Sequence, residues 1–223
     1  MDFKLSFNIN TSIYLKNPEN SDLGKRIIKK SIELIADIGL ESFNFKKLAQ
    51  EVGTTEATVY RYFENKNKLL LFIITYYWFF IDFYLDYQTQ NLNDPKLKIQ
   101  KIIQILTHKL PESDGVLDYD KRLLHQIVIS ESSKVYLVKN VVEINKDEVF
   151  KPYKDLCKNI ASIILEYNPQ YKYPKSLSST MIETAHHQEY FCHNLPKLTD
   201  FERGETQDFT SQFLEDFVFK AIN

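Results

Sequence analysis

Apolar side chains recur along this chain at helical intervals, and that periodicity sets the first expectations. Between Ser21 and Gly39 the positions Leu23, Ile27, Ile28, Ile32, Leu34, Ile35 and Ile38, with small Ser31 among them, form one stripe, so a helix with one buried face is predicted. Ser21 is a suitable N-cap, and Asp22 lies in the first turn, where the helix dipole favours a carboxylate. Gly39 stands at the residue that ends such a helix. A short second helix is predicted from its cap Asn44 through residues 45–52 to Gly53, the pivot where a left-handed backbone would end it. Thr54 and Thr55 then offer a cap to a third helix over residues 56–63, with Ala57 small enough for close helix approach and Val59 and Phe63 on the core side. Asn65 caps a fourth, from Lys66 to about Gln88, with Leu69, Phe72, Ile73, Tyr76, Phe80, Phe83 and Tyr87 at helical spacing. Further helices are predicted near 95–109, 119–129, 133–140, 144–167, 175–193 and 206–221, separated by proline- and glycine-bearing breaks. Residues 1–20 differ. Phe3, Leu5, Phe7 and Ile9 alternate with polar residues, which predicts a short extended arm that packs on the body or on a partner subunit; the alternative is a partly ordered tail.

Composition agrees with an all-α architecture, because five glycines and seven prolines in 223 residues leave long uninterrupted stretches. Cys157 and Cys192 are far apart and follow no metal-ligand spacing, and the N-terminal residues lack the basic and continuous apolar regions of a secretory signal, so a cytoplasmic protein is expected. The stretch from Leu69 to Ile81 carries no charge, yet its 13 residues reach only about 20 Å as a helix, against about 30 Å of bilayer hydrocarbon. It reads as a buried core helix, with no membrane partner. A net charge of −2 excludes a generally basic nucleic-acid coat protein. The balance is uneven, however: residues 21–68 hold nine Lys/Arg against seven Asp/Glu, in a chain that is acidic elsewhere.

The segment from Leu48 to Leu69, LAQEVGTTEATVYRYFENKNKL, resembles the DNA-binding domain of the TetR family of regulators. Leucine-alanine, a glycine-ended helix, a threonine cap, a small residue, Thr-Val-Tyr, an aromatic, Phe, and Asn-Lys before leucine all follow the family pattern, and the likeness covers about residues 21–70. It implies an N-terminal three-helix helix-turn-helix domain (residues 21–68, behind an arm at 1–20), followed by a larger helical effector-binding and dimerisation domain (residues 69–223).

In such a fold the third helix enters the major groove and flanking helix ends hold phosphates. The resemblance then assigns DNA contacts to Thr55, Glu56, Ala57 and Thr58 at the leading end of that helix, to Tyr60, Arg61 and Tyr62 further along, to Lys66 at the start of the fourth helix, and to Asn44 and Lys46 at the start of the second. Glu56 departs from a phosphate-binding role. A carboxylate there can accept from cytosine N4 or adenine N6, or else remain a solvated first-turn residue. The aromatic run from Tyr76 to Phe80 is too broad for one buried face, and the resemblance implies a small hydrophobic effector of unknown identity, for which Tyr77, Trp78, Phe80, Tyr84 and His125 are the candidate lining.

The expected protein is therefore a homodimeric repressor, paired through its C-terminal helices, on double-stranded, near-palindromic operator DNA, and released when the effector moves the recognition helices from about 34 Å spacing. The alternative is a helical-bundle small-molecule-binding protein or enzyme without DNA binding. No phosphate-binding glycine loop, Gly-x-Ser-x-Gly or His-Glu-x-x-His is present, so no catalytic residues and no cofactor are assigned. Glu183, His186, Tyr190 and His193 share one helix face, but dinuclear carboxylate bundles need Glu-x-x-His twice and the chain has it once, so no metal is assigned either.

Overall fold

The computed structural model describes residues 7–107, 118–201 and 209–223. All regular structure among them is helical. The helices are α1 (Asp22–Ser42), α2 (Phe45–Val52), α3 (Glu56–Tyr60), α4 (Lys66–Thr89), α5 (Pro95–Thr107), α6 (Lys121–Glu131), α7 (Ser133–Tyr136), α8 (Val141–Ile144), α9 (Lys151–Tyr167), α10 (Pro174–Asn194) and α11 (Phe209–Ile222). They form two compact units, the first from residues up to Phe79 together with Pro111–Lys151, the second from Phe80–Leu110 together with Pro152–Asn223.

In the first unit α1 begins at Ser21, whose Oγ accepts from the Gly24 amide at 3.1 Å. The centre of its stripe is buried as the pattern requires, with Ile27, Ile28, Ile32 and Ile35 inaccessible to solvent or nearly so, while Leu23, Leu34 and Ile38 are half-buried. Gly39, at φ 72° and ψ 160°, breaks the helix after Ile38, and one further turn runs to Ser42. α6 packs along α1 and holds its end. Gln126 donates to the Ala36 carbonyl at 3.0 Å, and the buried Glu131 carboxylate accepts from the Leu40 amide at 3.2 Å. α4 is long and apolar enough to cross a membrane, but 72% of its apolar window is buried, so it serves as a core helix.

In the second unit α5, α10 and α11 pack on one another. Ile99, Ile102 and Ile103 of α5, Met181 and Ile182 of α10, and Leu214 and Val218 of α11 are all fully buried there.

Several sequence-based expectations change. Residues 7–20 form no extended arm but two 3-10 turns, Thr11–Ile13 and Pro18–Asn20, because Asn10 and Asn17 accept from amides two residues on and bend the chain. The segment does pack on the body. Ile9 and Ile13 are buried, the Leu15 amide donates to the Tyr62 carbonyl at 2.8 Å, and Phe7 stacks on Phe79. Residues 1–6 lie outside the described residues. The helix expected over 144–167 does not run through. Glu148 is left-handed (φ 55°), and α9 starts only at Lys151, since the Pro152 ring would clash with the carbonyl four residues earlier in a continuous helix. The helix expected over 133–140 is cut to a single turn, α7. Residues 108–109 and 206–208, expected to be helical, lie outside the described residues.

Candidate nucleic-acid interface

Short-range hydrogen bonds build residues 44–63 turn by turn. Asn44 is extended, and its Oδ1 accepts from the Lys47 amide at 2.9 Å, which starts α2. Phe45, Leu48 and Ala49 face inward. At the other end Gly53 takes φ 74°, ψ 44°; its own amide donates to the Gln50 carbonyl at 3.2 Å and the next amide, of Thr54, reaches back to Ala49 at 2.9 Å. Those two bonds are a Schellman ending. A Cβ on Gly53 would meet nothing within 4 Å, so positive φ, and not crowding, selects glycine. Thr55 then caps α3 by accepting from the Thr58 amide at 3.2 Å, and the two threonine hydroxyls lie 2.9 Å apart.

This short helix has two distinct sides. Val59 is fully buried, as is Phe63 just beyond it, and they anchor the element. Thr55, Glu56, Ala57, Tyr60 and Arg61 are exposed on the other side, with Thr58 half-buried between them. Tyr60 is 47% exposed and rests its ring edge-on against Phe45 at 4.8 Å, which fixes the ring while leaving the outer end in solvent. Asn44 and Lys46 at the start of α2 are also exposed.

Two expected contact residues take other places, and one small residue serves differently. Tyr62 is buried, its hydroxyl 2.9 Å from Ser21 Oγ and its ring under the Lys16 ammonium, so it ties the start of α1 to the end of the motif instead of facing outward. Lys66 turns its ammonium onto the carbonyls of Leu40, Glu41 and Phe43, at 2.9, 3.2 and 3.3 Å, where a cation satisfies the last turn of α1. Ala57 is exposed, so its small size serves the outer surface and not helix approach. The third helix also ends earlier than expected, at Tyr60, as the chain tightens through Arg61 N–H to Thr58 and Tyr62 N–H to Val59.

Of the candidate effector residues, Tyr77 and His125 meet directly, hydroxyl to Nδ1 at 2.7 Å, with Trp78 edge-on to Tyr77 at 5.0 Å. In the second unit Phe80 and Tyr84 stack at 5.7 Å. No cluster of three or more His, Cys, Asp or Glu suited to a metal occurs among the described residues. Burial, with the Glu183 carboxylate adding to it, pushes the Cys157 thiol up to about 11.

One polar group escaped sequence reasoning. Tyr119 donates to Glu19, lies edge-on to Tyr76 at 5.1 Å, and sits beside the Lys25–Asp118 ion pair at 3.1 Å. Burial raises the Glu19 carboxyl above its usual range, against the opposing pull of Tyr119 and Lys25. It also raises both tyrosines, helped by nearby carboxylates. Glu19 and Tyr119 are 100 residues apart, and neither carries a local motif that would announce the contact.

A capped helix, a left-handed glycine and a second short helix with a polar outer side on a buried base make a helix-turn-helix, the element that DNA-binding regulators present to a groove. Residues 27–73 match the family described as bacterial regulatory proteins, tetR family. No curated protein matches the chain in sequence. Solved structures share its fold over most of their length. AibR in complex with isovaleryl coenzyme A and operator DNA is 13% identical, with 89% of this chain and 98% of that one covered and a TM-score of 0.58. The fatty acid degradation regulator FadR from Bacillus halodurans is 16% identical over 91% and 95%, with a TM-score of 0.61. A putative transcriptional regulator from Saccharomonospora viridis in complex with choline is 18% identical over 87% and 94%, with a TM-score of 0.63. At these identities the likeness is one of fold.

Proposed function

We propose that the protein is a cytoplasmic, homodimeric transcription regulator that reads operator DNA with the outer side of α3 and changes its affinity on binding a small effector. The observation that carries this reading is the sidedness of α3, where Val59 and Phe63 are fully buried while Thr55, Glu56, Ala57, Tyr60 and Arg61 remain exposed. Glu56 reads a base edge, Thr58 and Tyr60 reach the backbone or a thymine methyl, and Arg61, Asn44 and Lys46 hold phosphates. Lys66 supports the site from behind by capping α1, and Tyr62 does so through Ser21. The start of α4, where Asn65 Oδ1 already accepts from the Asn67 and Lys68 amides at 3.0 Å, remains a helix N-terminus suited to a phosphate.

Dimerisation is supported by apolar side chains left on the surface of the second unit: Phe213 and Phe217 stack one turn apart on α11, and Tyr190 is exposed on α10. A C2 pair predicts a near-palindromic operator. The effector reading rests on the Tyr77–His125 pair, a polar handle among buried aromatics, and is supported by two proteins of similar fold that were solved with small molecules, AibR with isovaleryl coenzyme A and the choline-bound regulator. A repressor released by its effector is the simplest regulator of this design.

Footprinting on DNA upstream of the coding sequence supplies the operator. On it, Arg61→Ala is expected to weaken binding on all sequences and to flatten the salt dependence by about one unit of slope, and Glu56→Ala to change base preference with a modest loss of affinity. Full affinity in both variants, or indifference of the native protein to duplex DNA at low ionic strength, would reject the reading.

A further inference from the structure

The second unit carries a cleft that the regulatory reading does not use. It lies between α4 and α9, with Lys98 of α5 at its side, and has a volume of about 390 Å³. Phe83, Asp86 and Tyr87 of α4 and Gln90 just beyond its end line one wall and Asn159, Ser162, Ile163 and Glu166 of α9 the other, each set following i, i+3, i+4, i+7, so two helix faces flank the space.

The chemistry of these walls is one-sided. Phe83 and Tyr87 stack at 6.4 Å and are both exposed, Tyr87 by 59%. Asp86, between them in sequence, pairs with no cation among the described residues, and partial burial alone raises its carboxyl above the usual range. Three of the other polar groups direct a hydrogen elsewhere. Ser162 donates to the Asn159 carbonyl at 2.7 Å, Thr89 to the Leu85 carbonyl at 2.9 Å, and the Asn159 amide to Asp82 at 2.7 Å. The Lys98 ammonium is held by Glu166 at 2.6 Å. What meets a ligand, beside the Gln90 amide and the Tyr87 hydroxyl, is a set of acceptors, an aromatic surface and an uncompensated negative charge. The complement of that set is a cation with hydrogens to donate and an apolar body to lay on the rings.

We propose that this cleft binds a small organic ammonium ion, its N–H groups on Asp86 and the neighbouring oxygens and its apolar part against Phe83 and Tyr87. The site is separate from the Tyr77–His125 pair and needs neither DNA nor the helix-turn-helix, so it stands or falls independently of the regulatory proposal.

Titration calorimetry on the full-length protein with 2-phenylethylammonium tests it, with the N,N,N-trimethyl cation and neutral 2-phenylethanol as comparisons. Saturable binding of the primary ammonium is expected, with both comparisons weaker by about tenfold, because each lacks either the donors or the charge. Asp86→Asn should lose about tenfold in affinity, and Tyr87→Ala should lose affinity as well; both positions are exposed, and unchanged circular-dichroism melting would show that the variants fold. No heat of binding at millimolar ammonium would overturn the proposal. So would binding that Asp86→Asn and Tyr87→Ala both leave intact, which would put the ligand elsewhere. Equal affinity for the alcohol or the trimethyl cation would overturn it too, since neither a charge nor an N–H donor would then be needed.

Discussion

Residues 44–63 and the bundle of α5, α10 and α11 are held together by different kinds of interaction. In the first, nearly every turn is closed by a bond between residues two to five apart: Asn44 to Lys47, Gly53 to Gln50, Thr54 to Ala49, Thr55 to Thr58. The apolar anchor is small and drawn from the segment itself, with Phe45, Leu48 and Ala49 of α2 buried alongside Val59, Tyr62 and Phe63. In the second, isoleucines and leucines far apart in sequence meet in one core, and the surplus appears outside as Phe213, Phe217 and Tyr190. A local scaffold fixes the few polar side chains to which groove contacts are assigned in the proposed function. A hydrophobic bundle aims nothing in particular, yet leaves apolar surface for the proposed pairing. Fine positioning and association thus call for opposite ratios of capping to burial.

Substitutions should separate the two regions, and the largest effect is expected at the anchor. Phe63→Ala removes a fully buried ring and should cost about 3–5 kcal/mol in chemical denaturation; a loss below about 1 kcal/mol would mean that local bonds alone sustain the motif. Gly53→Val is next. With φ at 74° and open space around it, the penalty is conformational, about 1–2 kcal/mol, and Gly53→Asn should recover much of it because asparagine tolerates that region. If the asparagine variant were no better than valine, contact and not backbone angle would be the cause. Thr55→Ala should cost about 1 kcal/mol through the lost cap and lower DNA affinity in parallel.

On the bundle side, Phe213→Ser combined with Phe217→Ser should change monomer stability by no more than about 0.5 kcal/mol per site while abolishing self-association in sedimentation, since both rings are already exposed. A dimer that survives the double change pairs through another surface. The smallest effect concerns Cys157. With its thiol pushed up to about 11, almost no thiolate exists at neutral pH, so alkylation by iodoacetamide in the native protein should be slow there and should accelerate only as the pH approaches that value. Fast modification at pH 7 would show that the thiol is less buried than the packing indicates.

Much of this was legible in the sequence. Ser21, Asn44, Thr55 and Asn65 all cap the helices expected of them, Gly53 is the left-handed pivot, and the apolar stripe of α1 is the buried one. The outer residues of α3 were legible too, because a five-residue helix on a buried Val59 has only one free side. The missed features share a cause. In each a single residue outweighs the surrounding apolar pattern: Pro152 suits the first turn of a new helix and not the interior of a long one, and the Asn10 and Asn17 side chains close turns within an alternating stretch.

Helix content, capping and the identity of the pivot follow from local sequence, because each depends on residues within about one turn of each other. The end points of long side chains depend instead on packing in three dimensions. Lys66 reached back 26 residues to the Leu40 carbonyl, Tyr62 reached 41 to Ser21, and Glu131 crossed 91 to the Leu40 amide. The same holds for Gly24, where a Cβ would lie 2.2 Å from the Pro18 carbonyl oxygen, a crowding that the bent N-terminal segment creates. Flexible side chains and backbone amides have many partners within reach, and chain closure around the core selects among them.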